Sequence, residues 1–164
     1  MAEFHNIDPI YNADSRILIL GSFPSVKSRE GQFFYHHPQN RFWKVLSAVL
    51  EHPLPKTIGE KREMLLSSGI ALWDVIASCE ITGSSDSSIK NAVPNDIARI
   101  LLDADIRAVF CNGGTAHKLY QKHLQQQTGT PAILLPSTSP ANAAWSQERL
   151  CNAWRTAITP YLNR

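Results

Sequence analysis

Four short apolar runs, each ended by turn residues and separated by segments of helical periodicity, constrain the fold of this 164-residue chain more than any other feature. The runs lie at about 16–21, 70–76, 106–112 and 132–135. Short apolar runs bounded by turn residues are typical of strands that are buried on both faces. Because these strands alternate with helices, the pattern predicts an α/β protein with a four-stranded parallel sheet covered by helices on both faces.

The segment between the first strand and the helix that follows it is long, at about 18 residues. It is rich in aromatic side chains and carries two adjacent histidines, His36 and His37, which is not the composition of a disordered linker. Loops of this length inside a compact domain are usually functional. Since ligands of open α/β sheets bind beyond the carboxyl ends of the strands, we expect the binding site to lie here.

Composition and cysteine usage exclude several classes of protein. The net charge of +2 gives no strong electrostatic case for a polyanionic partner, although a local basic patch is compatible with it. The three cysteines, Cys79, Cys111 and Cys151, are an odd and widely spaced set, which favours a reducing compartment over a disulfide framework. Neither a zinc-binding spacing nor the four thiolates of an iron–sulfur cluster occurs, so we expect no metal and no cofactor.

The same features predict a single domain over residues 1–164, which is long enough to bury a core. The sequence starts without a basic and then apolar signal segment, and no apolar stretch approaches the ~20 residues of a membrane span. We therefore expect a soluble, cytoplasmic protein, and a monomer.

The predicted strand ends carry hydroxyl, amide and glycine groups rather than clusters of charge. No glycine-rich nucleotide motif and no G-x-S-x-G motif occurs, but backbone N–H groups and helix N-termini in such loops can still bind phosphate. Each candidate taken singly is more simply explained as a turn or cap residue. The candidate phosphate-binding residues are Ser22, Ser25, Ser137, Ser139 and Asn142.

A second polar segment, residues 82–95, is rich in serine and has little apolar surface to bury. A solvated loop is the simplest interpretation of such a composition. The alternatives are a loop that covers a binding site or one that binds phosphate.

Three further residues are candidates for chemistry or recognition. Asn40 directly precedes a helix, where asparagine is a favoured N-cap, so capping is its simplest role. Asp74 ends an apolar strand, and a carboxylate there must be paired, hydrated or used for recognition. Tyr35 closes the aromatic run 33–35, in which any one ring is most simply a core anchor. Not all three rings can easily point inward from irregular backbone, so we expect one to be available for stacking on a base.

Three motifs made of these residues resemble the uracil-DNA glycosylase superfamily. They are G-S-F-P-S at 21–25, H-P-Q-N-R-F-W-K-V at 37–45 and S-T-S-P-A-N at 137–142. The middle motif is similar to that of the mismatch-specific uracil-DNA glycosylases, whereas the combination is most similar to the hypoxanthine-DNA (deoxyinosine) glycosylases. The resemblance implies a three-layer α/β/α sandwich with a four-stranded parallel sheet, and a pocket at the strand ends for a base flipped out of DNA.

The resemblance also implies roles for individual residues. Phe23 stands where most branches of the superfamily have an Asp or Asn that positions the attacking water, and in the hypoxanthine branch this role falls on the Asn that matches Asn40. Tyr35 matches the aromatic position that stacks on the base, and Asp74 falls where uracil-specific members read the base edge with Asn. Ser137 replaces the His that stabilises the uracil leaving group. We expect Tyr35 and Phe23 to wall the base.

Together these features predict a monofunctional DNA glycosylase that hydrolyses the N-glycosidic bond of deaminated bases, chiefly hypoxanthine. The partner is then DNA, and Asn40 orients water without acting as a general base, since an amide does not take up a proton near neutral pH. Two alternatives stay open. One is a broad or uracil-preferring glycosylase, and the other is a non-catalytic DNA- or nucleotide-binding module of the same fold.

Overall fold

Seven strands and seven α-helices make up the computed structural model, which describes residues 2–4 and 7–162. In chain order they are β1 (Ala2–Phe4), β2 (Ile17–Gly21), α1 (Val26–Gly31), α2 (Phe42–Val49), α3 (Ile58–Ser67), β3 (Ile70–Asp74), β4 (Ile76–Glu80), a 3-10 turn (Asp86–Ser88), β5 (Lys90–Pro94), α4 (Ile97–Asp103), β6 (Ala108–Asn112), α5 (Gly114–His123), α6 (Gln125–Thr128), β7 (Ala132–Leu135) and α7 (Gln147–Leu162).

The central sheet contains four parallel strands in the order β3-β2-β6-β7. Every residue of β2 and of β3 is buried, as the continuous apolar runs predict for strands covered on both faces. Helices pack in two groups, α2 against α7 and both α4 and α5 against α6. The predicted α/β/α sandwich with a four-stranded parallel sheet is therefore confirmed.

The strand order also locates the point at which ligands bind in such sheets. From β2 the chain moves outward to β3, and it then crosses back to β6 on the other side of β2. The direction of winding thus reverses between β2 and β6, so helices fall on opposite faces and a crevice opens beyond the carboxyl ends of these two strands. Among the described residues, no helix is both long enough and apolar enough to cross a membrane.

The second apolar run differs from its predicted form. We expected one strand over 70–76, but β3 ends at Asp74 and β4 begins at Ile76. The side chain and main chain of Asn95 hold this break: its Nδ2 donates to the Asp74 carbonyl oxygen at 2.9 Å, and its N–H donates to the Val75 carbonyl oxygen at 2.8 Å. Because the chain leaves the sheet directly after Asp74, that carboxyl is fixed at the end of the strand.

A second sheet, antiparallel and three-stranded, was not predicted. In it β4 pairs with β1 on one side and with β5 on the other. Both β5 and the 3-10 turn lie in the serine-rich segment 82–95, so the interpretation of this segment as a plain solvated loop was wrong. Its residues are mostly exposed, and pairing with β4 rather than burial defines the strand.

Two other segments are more ordered than the sequence indicates. The polar lead-in before β2, residues 1–15, contributes Ile7 and Ile10 to the core, and Ile10 forms an antiparallel bridge with Leu72 of β3. Residues 1, 5 and 6 of that lead-in lie outside the described residues. The long loop after β2 contains the short helix α1, which begins where Ser25 Oγ accepts a hydrogen bond from the Ser28 N–H.

Trp154 of α7 connects the helical layer to the loop that follows β7. Its side chain is fully buried and packs edge-on against Phe42 of α2, with 5.8 Å between ring centroids. Its Nε1 donates to the carbonyl oxygen of Pro136 at 2.9 Å. One residue therefore contributes to the core and anchors the start of a loop at the sheet edge.

We expect Trp154→Ala to lower the free energy of unfolding by about 3–5 kcal/mol, because the substitution leaves a large cavity and an unpaired carbonyl oxygen. Urea denaturation followed by circular dichroism measures this loss. The matched control is Leu102→Ala, since Leu102 is 87 % exposed and its truncation should change stability by less than ~0.5 kcal/mol. Equal effects of the two substitutions would contradict the anchoring role.

Candidate functional site

A cavity of about 310 Å³ lies beyond the carboxyl ends of β2, β3 and β6, at the reversal of winding. Each strand contributes its last residue: Gly21, Asp74 and Asn112. Loops from the other parts of the chain close the sides. The remaining lining residues are Ser22, Phe23, Ser25, Ser28, Tyr35, His37, Asn40, Ser84, Asp86, Ser137, Thr138, Ser139, Pro140 and Ala141.

The floor of the cavity depends on the absence of a side chain at Gly21. A Cβ atom at this position would lie 2.6 Å from Asp74 Oδ1 and 2.9 Å from the Tyr35 hydroxyl oxygen. Both distances are shorter than real Cβ contacts allow. Tyr35 itself has a φ of 50°, a left-handed conformation that is uncommon for a bulky residue and costs free energy. Glycine at 21 therefore lets two polar groups converge on the floor of the cavity.

Two polar atoms of this floor are buried without a hydrogen-bond partner among the described residues, namely Asp74 Oδ2 and the Tyr35 hydroxyl. Burial, with a smaller contribution from the charge of Asp86, raises the pKa of Asp74 from 3.8 to about 7. Burial and the neighbouring Asp74 raise the pKa of Tyr35 further above its ordinary value, so the phenol stays protonated. The floor thus presents a fixed hydroxyl donor beside a carboxyl that changes its protonation state near neutral pH.

Asn40 belongs to a hydrogen-bonded network that joins two loops. Its Oδ1 accepts from the Phe42 N–H and from the Thr138 hydroxyl, each at 2.9 Å. Thr138 and Asn112 in turn exchange two bonds of 3.0 Å, from Asn112 Nδ2 to Thr138 Oγ1 and from the Thr138 N–H to Asn112 Oδ1. Because a main-chain N–H only donates, the orientation of both amide groups is determined. The N-cap of α2 is Arg41, so the interpretation of Asn40 as the N-cap is wrong by one position, although Asn40 Oδ1 does accept from an N–H group of the first turn. No hydrogen bond of Asn40 Nδ2 is found among the described residues, so this group is available to the cavity.

Arg41 holds the same two loops together from behind. Its N–H donates to the Thr138 carbonyl oxygen at 3.1 Å, and its guanidinium donates to the carbonyl oxygens of Ser139, Asn142 and Trp145. This cation is directed at main-chain acceptors within the protein. Its charge supports the loop after β7 and is not directed outward to a polyanion.

Asp86 is the functional candidate that the sequence analysis missed. It lies in the serine-rich segment at the mouth of the cavity, and its Oδ1 accepts a hydrogen bond of 2.8 Å from Ser22 Oγ. Partial burial raises the pKa of the Asp86 carboxyl, and the Ser22 hydrogen bond lowers it. A lone carboxylate in a polar loop gives no signal of this placement, because the contact with Ser22 spans 64 positions in the chain.

The aromatic side chains of the long loop divide between core and cavity. Phe33 and Phe34 are buried in the core, where Phe33 stacks on Trp43. Phe23 and Tyr35 line the cavity, and one face of Tyr35 is covered by Phe42 at 4.0 Å between centroids. The structure thus brings together the two rings that the sequence analysis assigns to the base. Their stacking role remains a prediction.

The structure brings four of the five candidate phosphate-binding residues to this cavity. Asn142 lines a second, adjoining cavity of about 580 Å³, which Ser137 and Ser139 share. All five also have structural contacts: the Ser22 hydroxyl donates to Asp86, Ser25 Oγ caps α1, Ser137 Oγ accepts from the Ser139 N–H, Ser139 Oγ accepts from the Ala141 N–H, and Asn142 Nδ2 donates to the Ser137 carbonyl oxygen at 3.0 Å. Within the part of the chain that the structure describes, no group of three or more His, Cys, Asp or Glu residues could hold a metal ion.

Comparison with known proteins gives concordant matches. The sequence model of the uracil DNA glycosylase superfamily matches residues 9–161. A protein of Methanosarcina acetivorans named hypoxanthine DNA glycosylase is 31 % identical over 141 residues, which cover 85 % of this chain and 89 % of that protein. A protein of the same name from Methanosarcina barkeri is 33 % identical over 133 residues, which cover 79 % of this chain and 83 % of that protein.

A solved structure is also similar to this chain. It is a solution NMR structure of a protein from Methanosarcina acetivorans that is described as a candidate uracil DNA glycosylase. The TM-score is 0.83 at 28 % sequence identity, and the match covers 99 % of this chain and 100 % of the other.

We expect Gly21→Ala to destabilise the protein by about 1–3 kcal/mol, because the added methyl group overpacks the floor against Asp74 and Tyr35. Gly59→Ala is the matched control, since a Cβ there has nothing nearer than Thr57 Oγ1 at 3.9 Å. Replacing a glycine inside helix α3 should raise stability by roughly 0.5–1 kcal/mol. Urea midpoints at constant slope measure both changes, and a neutral Gly21→Ala would show that the floor is not tightly packed.

Proposed function

Because this chain belongs to the uracil DNA glycosylase superfamily, we propose that it is a DNA glycosylase that hydrolyses the N-glycosidic bond of deaminated bases, chiefly hypoxanthine. The observation that carries the proposal is the pair of unpartnered polar atoms on the cavity floor, Asp74 Oδ2 and the Tyr35 hydroxyl. A buried polar atom without a partner is costly, so a site that keeps two of them is built for a ligand that supplies their hydrogen bonds. The names of the Methanosarcina relatives agree with this substrate.

The chemistry of the floor fits the edge of hypoxanthine. Ionised Asp74 accepts a hydrogen bond from the N1–H of hypoxanthine, and the protonated Tyr35 hydroxyl can donate to O6. Adenine presents an acceptor at N1 and a donor at N6, so it would meet both groups with the wrong polarity. A site that hydrogen-bonds a particular donor of its substrate discriminates strongly in kcat/KM against an analogue without that donor. The analogue leaves the buried polar groups of the site without hydrogen-bond partners.

The base reaches this cavity only after it leaves the DNA stack, at a cost of a few kcal/mol that is lower for a mispaired base. Tyr35 and Phe23 wall the cavity, and the face of Tyr35 that Phe42 does not cover is available to stack on the base. Base–aromatic stacking of about 1–3 kcal/mol compensates part of the unstacking and requires no charge. This mode of binding is consistent with the low net charge of the chain.

Asn40 acts in this proposal as a positioning amide beside the reacting sugar. As the glycosidic bond breaks, the sugar becomes oxocarbenium-like and negative charge grows on the base. The Oδ1 of Asn40 already accepts two hydrogen bonds, so its contribution comes from Nδ2, which can donate to a water oxygen or to the leaving base. Such fixed donors stabilise developing charge without reorganisation.

Uracil is the second candidate substrate, because its N3–H can donate to the same Asp74 carboxylate.

With either substrate, the proposed enzyme acts on DNA in the cytoplasm as a monomer. The three cysteines, which form no disulfide, suit a reducing compartment.

The proposal predicts excision of hypoxanthine from an end-labelled oligonucleotide that carries one deoxyinosine, read after alkaline cleavage. Asn40→Ala should lower the single-turnover rate by about 100-fold or more, which is the size of effect seen when a preorganised donor is removed. Asn152→Ala on the exposed face of α7 is the control and should leave the rate unchanged. Excision of uracil alone would overturn the substrate, and no excision of either base would favour a binding module.

Hypoxanthine excision should increase as the pH rises through about 7, because Asp74 accepts the N1–H only when ionised. In Asp74→Asn the contribution of this carboxyl to the step near pH 7 should disappear. The hypoxanthine-to-uracil rate ratio should fall roughly 10-fold or more, because Asn stands at this position in the uracil-specific members that the chain resembles. Rate profiles on both substrates between about pH 5.5 and about pH 9 test both expectations. This range is wide enough because carboxyl pKa values in folded proteins scatter by about 1 unit. The other titratable groups that line the cavity are Asp86, His37 and Tyr35, and each can add a pH dependence of its own. An unchanged hypoxanthine-to-uracil ratio in the variant would therefore be the result that removes Asp74 from this role.

A further inference from the structure

A water molecule that attacks the sugar must pass a proton to an acceptor. His37 of the long loop lines the cavity, but its Nδ1 accepts a hydrogen bond of 3.1 Å from the Gln39 N–H, so in the neutral ring Nε2 carries the proton and no lone pair is left for the water. Phe23 occupies the position after Ser22 with a hydrocarbon ring. Asn40 Oδ1 is occupied by the Phe42 N–H and the Thr138 hydroxyl, which correspond to the two lone pairs of a carbonyl oxygen. An amide in any case does not take up a proton near neutral pH. The water must therefore find its acceptor elsewhere in the cavity.

Asp74 is not placed for this task. Asp74 is 4 % exposed on the floor, and its Oδ1 lies 2.6 Å from the point that a Cβ at Gly21 would occupy, with the Tyr35 hydroxyl oxygen 2.9 Å from the same point. The base enters first and ends at the floor, whereas the sugar stays at the mouth because it is joined to the DNA backbone. A group on the floor consequently meets the edge of the base and not C1′ of the sugar.

Asp86 lies at the level where the sugar must be. It is exposed at the mouth, and it lines both the base cavity and the adjoining 580 Å³ cavity, so it stands at the boundary between them. The Ser22 hydroxyl fixes its Oδ1 with a bond of 2.8 Å. No hydrogen bond to Oδ2 occurs among the described residues, which leaves that oxygen for a water. Asp86 is also the second of the two carboxyl groups in the lining, after Asp74.

We propose that Asp86 is the general base of this glycosylase, contributed by the serine-rich segment in place of a carboxylate in the loop after β2. The inference rests on the proposed function. The C1′–N9 bond breaks with its electron pair passing to the base, the oxygen of water bonds to C1′, and the proton of that water passes to Asp86 Oδ2. The departing base takes up one proton from solvent, and Asp86 later returns its proton to solvent, so the products are free hypoxanthine and an abasic site.

The test compares chemistry with binding for Asp86→Asn, a substitution that keeps the shape of the side chain and an acceptor for Ser22. Single-turnover excision from a deoxyinosine oligonucleotide should fall about 100-fold or more, the contribution typical of a general base. Affinity for the same oligonucleotide with a 2′-fluorinated deoxyinosine, whose glycosidic bond resists cleavage, should change less than threefold. Asp105→Asn, at an exposed position outside the cavity, is the matched control.

Asp86→Ala adds a second readout that a structural role does not produce. Because the position is open to solvent, added formate should restore excision at least tenfold, since it supplies a carboxylate at the mouth. An Asp86→Asn rate within threefold of the parent, or a loss of affinity equal to the loss of rate, would overturn the role of Asp86 and leave the proposed function intact. A parent chain that excises neither hypoxanthine nor uracil would overturn both.

Discussion

The close approach of β2 and β3 at their carboxyl ends is the constraint on which the rest of the site depends. Gly21 has no side chain, so the Asp74 carboxyl and the Tyr35 hydroxyl can occupy the space in which a Cβ would lie. The register of the sheet places Gly21 directly beside Asp74. The break after Asp74, held by Asn95, then turns the chain away before another side chain can fill the cavity. A parallel sheet of short strands thus ends in a polar floor rather than in an apolar cap.

The walls of the site are held by bonds between loops that are far apart in the sequence. Asn40 reaches Thr138 across 98 positions, and Thr138 reaches Asn112 across 26. Arg41 adds its guanidinium to three carbonyl oxygens of the same loop. Groups held this way lose little freedom when a ligand binds, which is the condition for positioning a reacting atom accurately. The residues that orient the site are therefore also residues that close the fold.

The sequence predicts those parts of the molecule that burial determines. Strands β2, β3, β6 and β7 appear as apolar runs because both faces of the sheet are covered, and Asp74 is identifiable as a carboxyl at a strand end. Strand β5 is not predictable in this way, since its residues are exposed and its partner is remote. Asp86 was missed for the same reason, because only the fold brings the serine-rich segment to Ser22. The role assigned to Asn40 came from the family resemblance. The aromatic run 33–35 predicts only that one of its rings is available for stacking, and the resemblance selected Tyr35.

The raised pKa of Asp74 makes the folded state less stable at the pH values at which its carboxylate can bind the base. In the unfolded chain the carboxyl ionises near its ordinary value of 3.8, whereas in the fold it stays protonated until about pH 7. Below pH 3.8 the carboxyl is protonated in both the folded and the unfolded chain, so its raised pKa costs no stability. As the pH rises from 3.8 towards about 7, the carboxyl ionises in the unfolded chain but not in the fold, so the free energy of unfolding falls. The penalty is complete in the pH range where the carboxylate can accept a hydrogen bond from the base. The buried carboxylate therefore lowers the stability of the enzyme without a bound base. A base that donates a hydrogen bond to Asp74 restores part of this lost stability.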